Sequence, residues 1–383
     1  MRTITLLQPG HILFGNGCAD QCAEDLLARG YRRVFLVSSP PLVELGLIAL
    51  LVSALEAGGA EVVVYAEIDR EPTVSMAEVA IENARALNPD AIVGVGGGSA
   101  MDVAKVVAAL HDGDQRVSDI LGIGLLEGRR TFLACLPTTA GTGSEVSPNA
   151  IMLDEAANLK KGAVSPHLVC DAAYVDPMLT VTMPPALTAA TGMDAMCHCV
   201  EAYLNLNPHP IVDLLVLEGV RLIGANLRRA VEDGDDLEAR EQMALGSLYG
   251  GLALGSVNTN GVHALSYPLG SEFHVAHGIS NAVLLPYVLE FNLSAMPDRY
   301  AQVARALGAE EGSAVEETAR SGMDALKQLS ADVGIPTRMS DLGVSREALP
   351  RMAEAAYTVQ RLLRNNPRPM SVGDILKIYE TAY

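Results

Sequence analysis

The chain has 383 residues, 49% of them hydrophobic, which is long enough for two domains with a core each. Its net charge of −19 argues against nucleic acid or an anionic membrane surface as a partner, because the field of the whole molecule would repel them. The opening MRTITLLQPGHILFG holds one arginine and an apolar run broken by Pro9 and Gly10, the pattern of neither a signal peptide nor a membrane span.

Taken in chain order, ITLLQPGHILFG (4–15) reads as a separate hairpin. RRVFLVS (32–38), EVVVYAEI (61–68), AIVGVG (91–96) and TFLACLP (131–137) read as short apolar strands. Helical periodicity runs between them, over 42–58 and 75–88. This alternation predicts a parallel sheet in an α/β domain over residues 1–182. After DPMLTVTMPP (176–185) the texture changes, and residues 183–383 read as an all-helical domain. Two domains imply a cleft, where ligands prefer to bind. The six cysteines are too few and scattered for a disulfide framework and are expected to be free thiols in a reducing cytoplasm.

Two glycine-bearing loops follow successive strands. In AIVGVGGGSAMDVAK (91–105), Gly96, Gly97 and Gly98 let backbone N–H groups approach a phosphate at the start of a helix. In CLPTTAGTGSEVS (135–147), Thr138, Thr139, Thr142 and Ser144 add hydroxyls. Each alone fits an ordinary loop. Together, at the carboxyl ends of adjacent strands, they favour a dinucleotide. No G-x-x-x-x-G-K-[ST] is present, which argues against a P-loop.

Asp194 and His198 are four residues apart in a helical stretch, on one face and about 6 Å apart along the axis. Three of the eight histidines fall in HALSYPLGSEFHVAH (263–277). Pro268 and Gly270 are expected to interrupt the helix between His263 and His277, and a bend there could turn both imidazoles toward Asp194 and His198. One carboxylate and three imidazoles suit zinc or ferrous iron. An exposed Asp–His pair and a solvated loop are the ordinary alternatives.

These motifs resemble the iron-containing (group III) alcohol dehydrogenases over nearly the whole chain. The resemblance rests on GVGGGSAMDVAK (94–105), PTTAGTGSEVSP (137–148), DPMLTVTMPP, ATGMDAMCHCVEAY (190–203), HALSYPLG (263–270), HGISNAVLLP (277–286) and NNPRP (365–369). It implies a dehydroquinate synthase-like architecture, an α/β dinucleotide-binding domain followed by an all-α metal domain, and a homodimer. The metal ligands it implies are Asp194, His198, His263 and His277, for Fe2+ or alternatively Zn2+. For NAD or NADP it implies Gly97, Gly98, Ser99, Asp102, Thr138, Thr139, Thr142, Asn149, Lys160 and Leu179. It puts Tyr267 and His277 at the catalytic centre and Leu254, Tyr267 and Leu362 along a mainly apolar substrate pocket. The implied reaction is hydride transfer between the nicotinamide C4 and an alkoxide or carbonyl held on the metal. A maleylacetate reductase-like or hydroxyacid-oxoacid transhydrogenase-like activity on a carboxylate-bearing substrate is the alternative, and a dehydroquinate synthase-like lyase ranks lower.

Three departures from the usual pattern stand out. Ser39 stands where NAD-preferring relatives carry an acid on the ribose, and no arginine follows in SSPPLVELG to attract a 2′-phosphate. Tyr267 replaces a histidine, and a phenol is a poorer proton relay at neutral pH than an imidazole. Cys197 and Cys199 flank His198 but point off the Asp194–His198 face. Arg361 lies next to the pocket wall and could hold a substrate carboxylate, with a surface ion pair as the ordinary alternative. His274 is expected to be a bystander.

Overall fold

The computed structural model describes residues 2–157 and 159–383. The chain divides into two compact units. One comprises Leu7–Thr139 and Gly143–Thr182; the other holds Met183–Tyr383, Ala140–Thr142 and the residues up to Leu6.

The first unit is built on a six-stranded sheet. Its strands are β1 (His11–Phe14), β2 (Arg33–Val37), β3 (Glu61–Tyr65), β4 (Ala91–Gly96), β5 (Phe132–Pro137) and β8 (Ala172–Val175), in the order β1-β8-β5-β4-β2-β3. Every pairing is parallel. β4 and β5 are buried along their whole length, which is why they read as unbroken apolar runs rather than alternating ones. A separate antiparallel pair, β6 (Asn149–Asp154) and β7 (Leu159–Val164), carries the chain from β5 to β8.

The hairpin expected over residues 4–15 does not form. Only His11–Phe14 is extended in a ladder, and it pairs in parallel with β8. Pro9 has no N–H to give a strand partner. Upstream, Arg2 belongs to the helical unit, where its guanidinium donates to the carbonyls of Asn207 and Ser256. The helix expected over 42–58 is two pieces, Pro40–Glu44 and Ala49–Ala57, because Gly46 turns the chain at φ +73° between them. The stretch 75–88 is helical as Val74–Leu87, started by the Thr73 hydroxyl accepting from the Met76 N–H.

Helix Gly98–Leu110 is buried along nearly its whole length and pins the segment after β5 with two charged side chains. Asp102 accepts from the Ser144 hydroxyl at 2.5 Å and the Ile151 N–H at 2.8 Å. Lys105, wholly buried, donates to the carbonyls of Ser147 at 3.1 Å and Asn149 at 2.7 Å. Its Nζ lies 3.8 Å from Asp102. Each buried charge is thus balanced by the other and by hydrogen bonds, the condition for keeping a pair out of water.

The second unit has no strand among its described residues. Its centre is helix Pro185–Tyr203, which packs against Pro210–Glu232, Leu237–Ala253 and His277–Asn292. Met193, Met196, Val200, Val220, Ile223 and Leu227 are buried in the core it forms. Among the described residues no helix is long and apolar enough to cross a membrane. All six cysteines are buried and free.

One buried acid in the first unit makes its stability depend on pH. Glu145 is 3% exposed, and burial lifts its carboxyl from an ordinary 4.5 to about 7, with the Lys105 charge opposing only weakly. The folded chain therefore keeps a proton that the unfolded chain releases near pH 4.5. Stability from this group is full below about pH 4.5 and is lost as the pH rises through 7, a change on the order of 3 kcal/mol. In urea titrations across this window, Glu145→Gln is expected to flatten the decline; an unaltered pH profile would contradict it.

Candidate metal and cofactor sites

In the helical unit, Asp194, His198 and Glu201 follow one another at i, i+4 and i+7 on helix Pro185–Tyr203 and are 2%, 4% and 1% exposed. They share one face, as 3.6 residues per turn requires. The neighbouring helix Gly261–Phe273 brings His263 to this face, and helix His277–Asn292 brings His277 at its first residue. Asp194, His263 and His277 each offer a donor atom, and these atoms lie within 4.8 Å of one another. The Nε2 atoms of His263 and His277 are 3.7 and 3.8 Å from Asp194 Oδ1. His198 stacks on His263, with ring centroids 4.8 Å apart.

Each of two imidazoles is turned by a partner on its other nitrogen. His198 Nδ1 donates to the Gly141 carbonyl at 3.1 Å, and His263 Nδ1 donates to Glu201 Oε2. The opposite nitrogen, Nε2, is left available to a metal, the arrangement that metal-binding histidines use. The other oxygen of Glu201 accepts from the N–H groups of Asn260 at 2.9 Å, Val262 at 2.8 Å and His263 at 3.4 Å. It thereby caps the His263 helix and aligns its charge with the helix dipole. Burial pushes Asp194 up, yet the histidine charges and the Asn281 amide hold its carboxyl below the usual range. For His198 burial dominates and lowers the imidazole.

Asn281 sits among the donor atoms. Its Nδ2 is 2.7 Å from Asp194 Oδ1, 3.1 Å from His263 Nε2 and 3.2 Å from His277 Nε2, while its Oδ1 is buried without a partner. One carboxylate and two imidazoles around a point where an amide finds three acceptors, with His198 stacked on His263 beside them, fit a divalent cation.

Sequence reasoning missed Glu201 and Asn281. Both carried a signal: Glu201 is seven residues after Asp194, and Asn281 is four after His277. It also misplaced the break between His263 and His277. Helix Gly261–Phe273 runs straight through Pro268 and ends only where His274 turns left-handed at φ +54°. The surrounding packing supports a helix whose proline lacks one N–H bond. Tyr267 consequently follows His263 by one helical turn, 5% exposed, with its ring 6.4 Å from that of His277. His274 is exposed. Leu254 and Leu362 are 7% and 1% exposed in the same unit. Cys199 Sγ faces the Gly246 carbonyl at 3.6 Å, away from the acids and histidines.

In the α/β unit, the carboxyl ends of β4 and β5 bring the two glycine-bearing loops side by side, tied by the Thr138 N–H to the Gly96 carbonyl at 3.0 Å. Gly97 precedes helix Gly98–Leu110, with Ser99 in its first turn. A Cβ at Gly97 would come 3.5 Å from Thr139 Cγ2, so the bare glycine keeps a hollow open there. Thr139 Oγ1 and Asn149 Oδ1 are buried without partners. Bare backbone at a helix N-terminus beside the orphaned Thr139 hydroxyl fits a dinucleotide phosphate, while Asn149 Oδ1 is an acceptor for a ligand N–H or O–H. Asp102 and Lys160 are engaged otherwise, Asp102 in the clamp above and Lys160 with Glu71. Leu179 packs against the sheet core, Ser39 opens the helix after β2, and Thr142 clusters with the helical unit.

With this geometry established, comparison with known proteins is decisive. The family model described as "Iron-containing alcohol dehydrogenase" matches residues 9–177, and "Fe-containing alcohol dehydrogenase family, C-terminal" matches 188–383. The chain belongs to the iron-containing alcohol dehydrogenase family. It is 41% identical over 374 residues to long-chain-alcohol dehydrogenase 1 of Geobacillus thermodenitrificans, covering 96% of this chain and 94% of that one. It is 34% identical over 375 residues to the sulfoacetaldehyde reductase of Bilophila wadsworthia, covering 97% of each. The crystal structure of a 1,3-propanediol oxidoreductase superposes with a TM-score of 0.96 at 33% identity, covering all of both chains. As a member of this family the protein is an NAD-linked alcohol dehydrogenase or aldehyde reductase of the iron type.

Two substitutions test the metal geometry. Glu201→Gln would set an amide against His263 Nδ1–H and is expected to weaken metal retention about 10- to 100-fold, measured by competition with a chelator. Unchanged retention would show that Glu201 does not set His263 for a metal. A Cβ at Gly278 would lie 2.1 Å from the Ala190 carbonyl oxygen. Gly278→Ala is therefore expected to push the His277 helix off the Asp194 helix and lose both metal and thermal stability.

Proposed function

We propose that Asp194, His198, His263 and His277 hold ferrous iron, and that the enzyme interconverts small aldehydes or ketones with their alcohols using NAD or NADP. The observation that carries this reading is the convergence of the buried Asp194 and His263 and the half-buried His277 within 4.8 Å, with Glu201 behind His263. A divalent ion bound there supplies Lewis acidity toward the substrate oxygen. The protein's part is to fix the donors, keep water from three of the four donor side chains, and manage a proton. In the reducing direction a bound reduced nicotinamide would supply the hydride for the carbonyl carbon, and the protein supplies the proton that the oxygen takes. The Tyr267 hydroxyl, on the same helix as His263, is the group we assign to pass that proton to and from a ribose hydroxyl or water.

On the cofactor side, Gly97, Gly98, Ser99, Thr138 and Thr139 would hold the pyrophosphate, with the nicotinamide near Asn149. Ser39 offers neither the acid that selects NAD nor the cation that selects NADP, so both are to be assayed. The names of the relatives span long-chain alcohols, a sulfonated aldehyde and a short diol. Buried free thiols support a reducing cytoplasm, and a homodimer is the expected assembly.

The test is to strip anaerobically purified protein with a chelator and follow NADH and NADPH oxidation with short aldehydes and oxo-acids, adding back ferrous iron or zinc. Iron is expected to restore turnover, and His263→Ala to lose metal and turnover together. Full activity of that variant, or no reduction with either metal, would overturn the assignment.

A further inference from the structure

The helical unit places a cation beside the candidate metal site. Arg361 is on the short helix Gln360–Leu363, which packs against the His263 helix, and it is half-buried between its neighbours and the buried Leu362. Its Nη2 donates to the Tyr267 hydroxyl at 3.2 Å. The Tyr267 ring is 6.4 Å from that of His277.

Among the described residues Arg361 forms no ion pair, and Tyr267 is its single hydrogen-bond partner. The site's own acids are engaged elsewhere. Asp194 faces His263, His277 and Asn281, and Glu201 faces His263 and three backbone N–H groups. In this unit Arg299 pairs with Asp213 and Arg351 with Glu272, while the buried Arg240 is held by the Thr188 hydroxyl and backbone carbonyls. The guanidinium of Arg361 has neither arrangement and keeps N–H groups that no described residue uses, beside the candidate metal site.

We propose that Arg361 binds an anionic group on the substrate, so that the preferred substrate is an aldehyde or ketone carrying a carboxylate or sulfonate a few carbons from the carbonyl. The inference rests on the dehydrogenase reading above and narrows its substrate class. The hydrogen bond to Tyr267 fixes the guanidinium while using one N–H of its fork. The remaining N–H groups can grip two anion oxygens at once, which a lysine cannot reproduce.

The experiment compares the iron-reconstituted wild type with Arg361→Leu and Arg361→Lys, using butanal, 4-oxobutanoate and 3-oxopropanesulfonate. The expected result is a ratio of kcat/KM, anionic over neutral, that falls about 10- to 100-fold in Arg361→Leu, mostly through KM. Arg361→Lys is expected to lie between. Whichever anionic aldehyde leads in the wild type distinguishes carboxylate from sulfonate. Calorimetric titration with butanoate and with propanesulfonate gives a readout independent of turnover: binding is expected in the wild type and lost in Arg361→Leu, with matching melting curves showing that the variant is folded. Equal ratios in wild type and Arg361→Leu, or anion binding that survives the substitution, would overturn the proposal and leave the dehydrogenase reading intact. Failure of the wild type to reduce even butanal would count against that reading instead, while the titrations would still decide the role of Arg361.

Discussion

The helical unit depends on one buried carboxylate that is not itself in the donor cluster. Glu201 lies one helical turn beyond His198, almost wholly out of water, and such a charge is tolerable only where donors surround it. It has four, three of them backbone N–H groups at the start of the next helix and the fourth the His263 imidazole. The same contact that satisfies the charge fixes the start of the His263 helix, its register against the Asp194 helix and the tautomer of His263. Positioning and chemistry are therefore one problem here, solved by one side chain.

The α/β unit solves a similar problem differently. The segment after β5 has little regular structure, yet it carries residues that must stay in place. Asp102 and Lys105, one turn apart on a buried helix, grip it at Ser144, Ser147, Asn149 and Ile151. That leaves Thr139 Oγ1 and Asn149 Oδ1 held in place but unsatisfied, the kind of pre-arranged acceptor and hydroxyl a ligand can use without paying to order them. In the resemblance Asp102 stands in the cofactor lining; its carboxylate in this structure is turned to the loop, so its contribution is support.

Close approach of backbones is the third constraint. His277 reaches Asp194 because Gly278, the next residue, has no side chain to hold the helices apart at Ala190. On the His263 helix Tyr267 lies one turn from His263 and within hydrogen-bond reach of Arg361, and the helix continues past it through Pro268.

The α/β and helical halves, the strands β2 to β5 and the Asp194–His198 pair were legible in the chain because each rests on local periodicity: apolar runs for buried strands, four-residue spacing for one helical face. So was the family, through motifs that extend over most of the chain. What the sequence alone did not determine is everything that depends on which surfaces meet. β1 joined β8 in place of a local hairpin, because sheet pairing is decided by the edge available and not by neighbouring residues. Pro268 stayed in a helix because packing outweighs the loss of one hydrogen bond. Glu201 and Asn281 look like ordinary polar residues in a one-dimensional reading, and Arg361 stands there as either an anion ligand or a surface ion pair. Only tertiary contact makes the first a buried anchor, the second the centre of the donor cluster and the third a cation without a counter-charge.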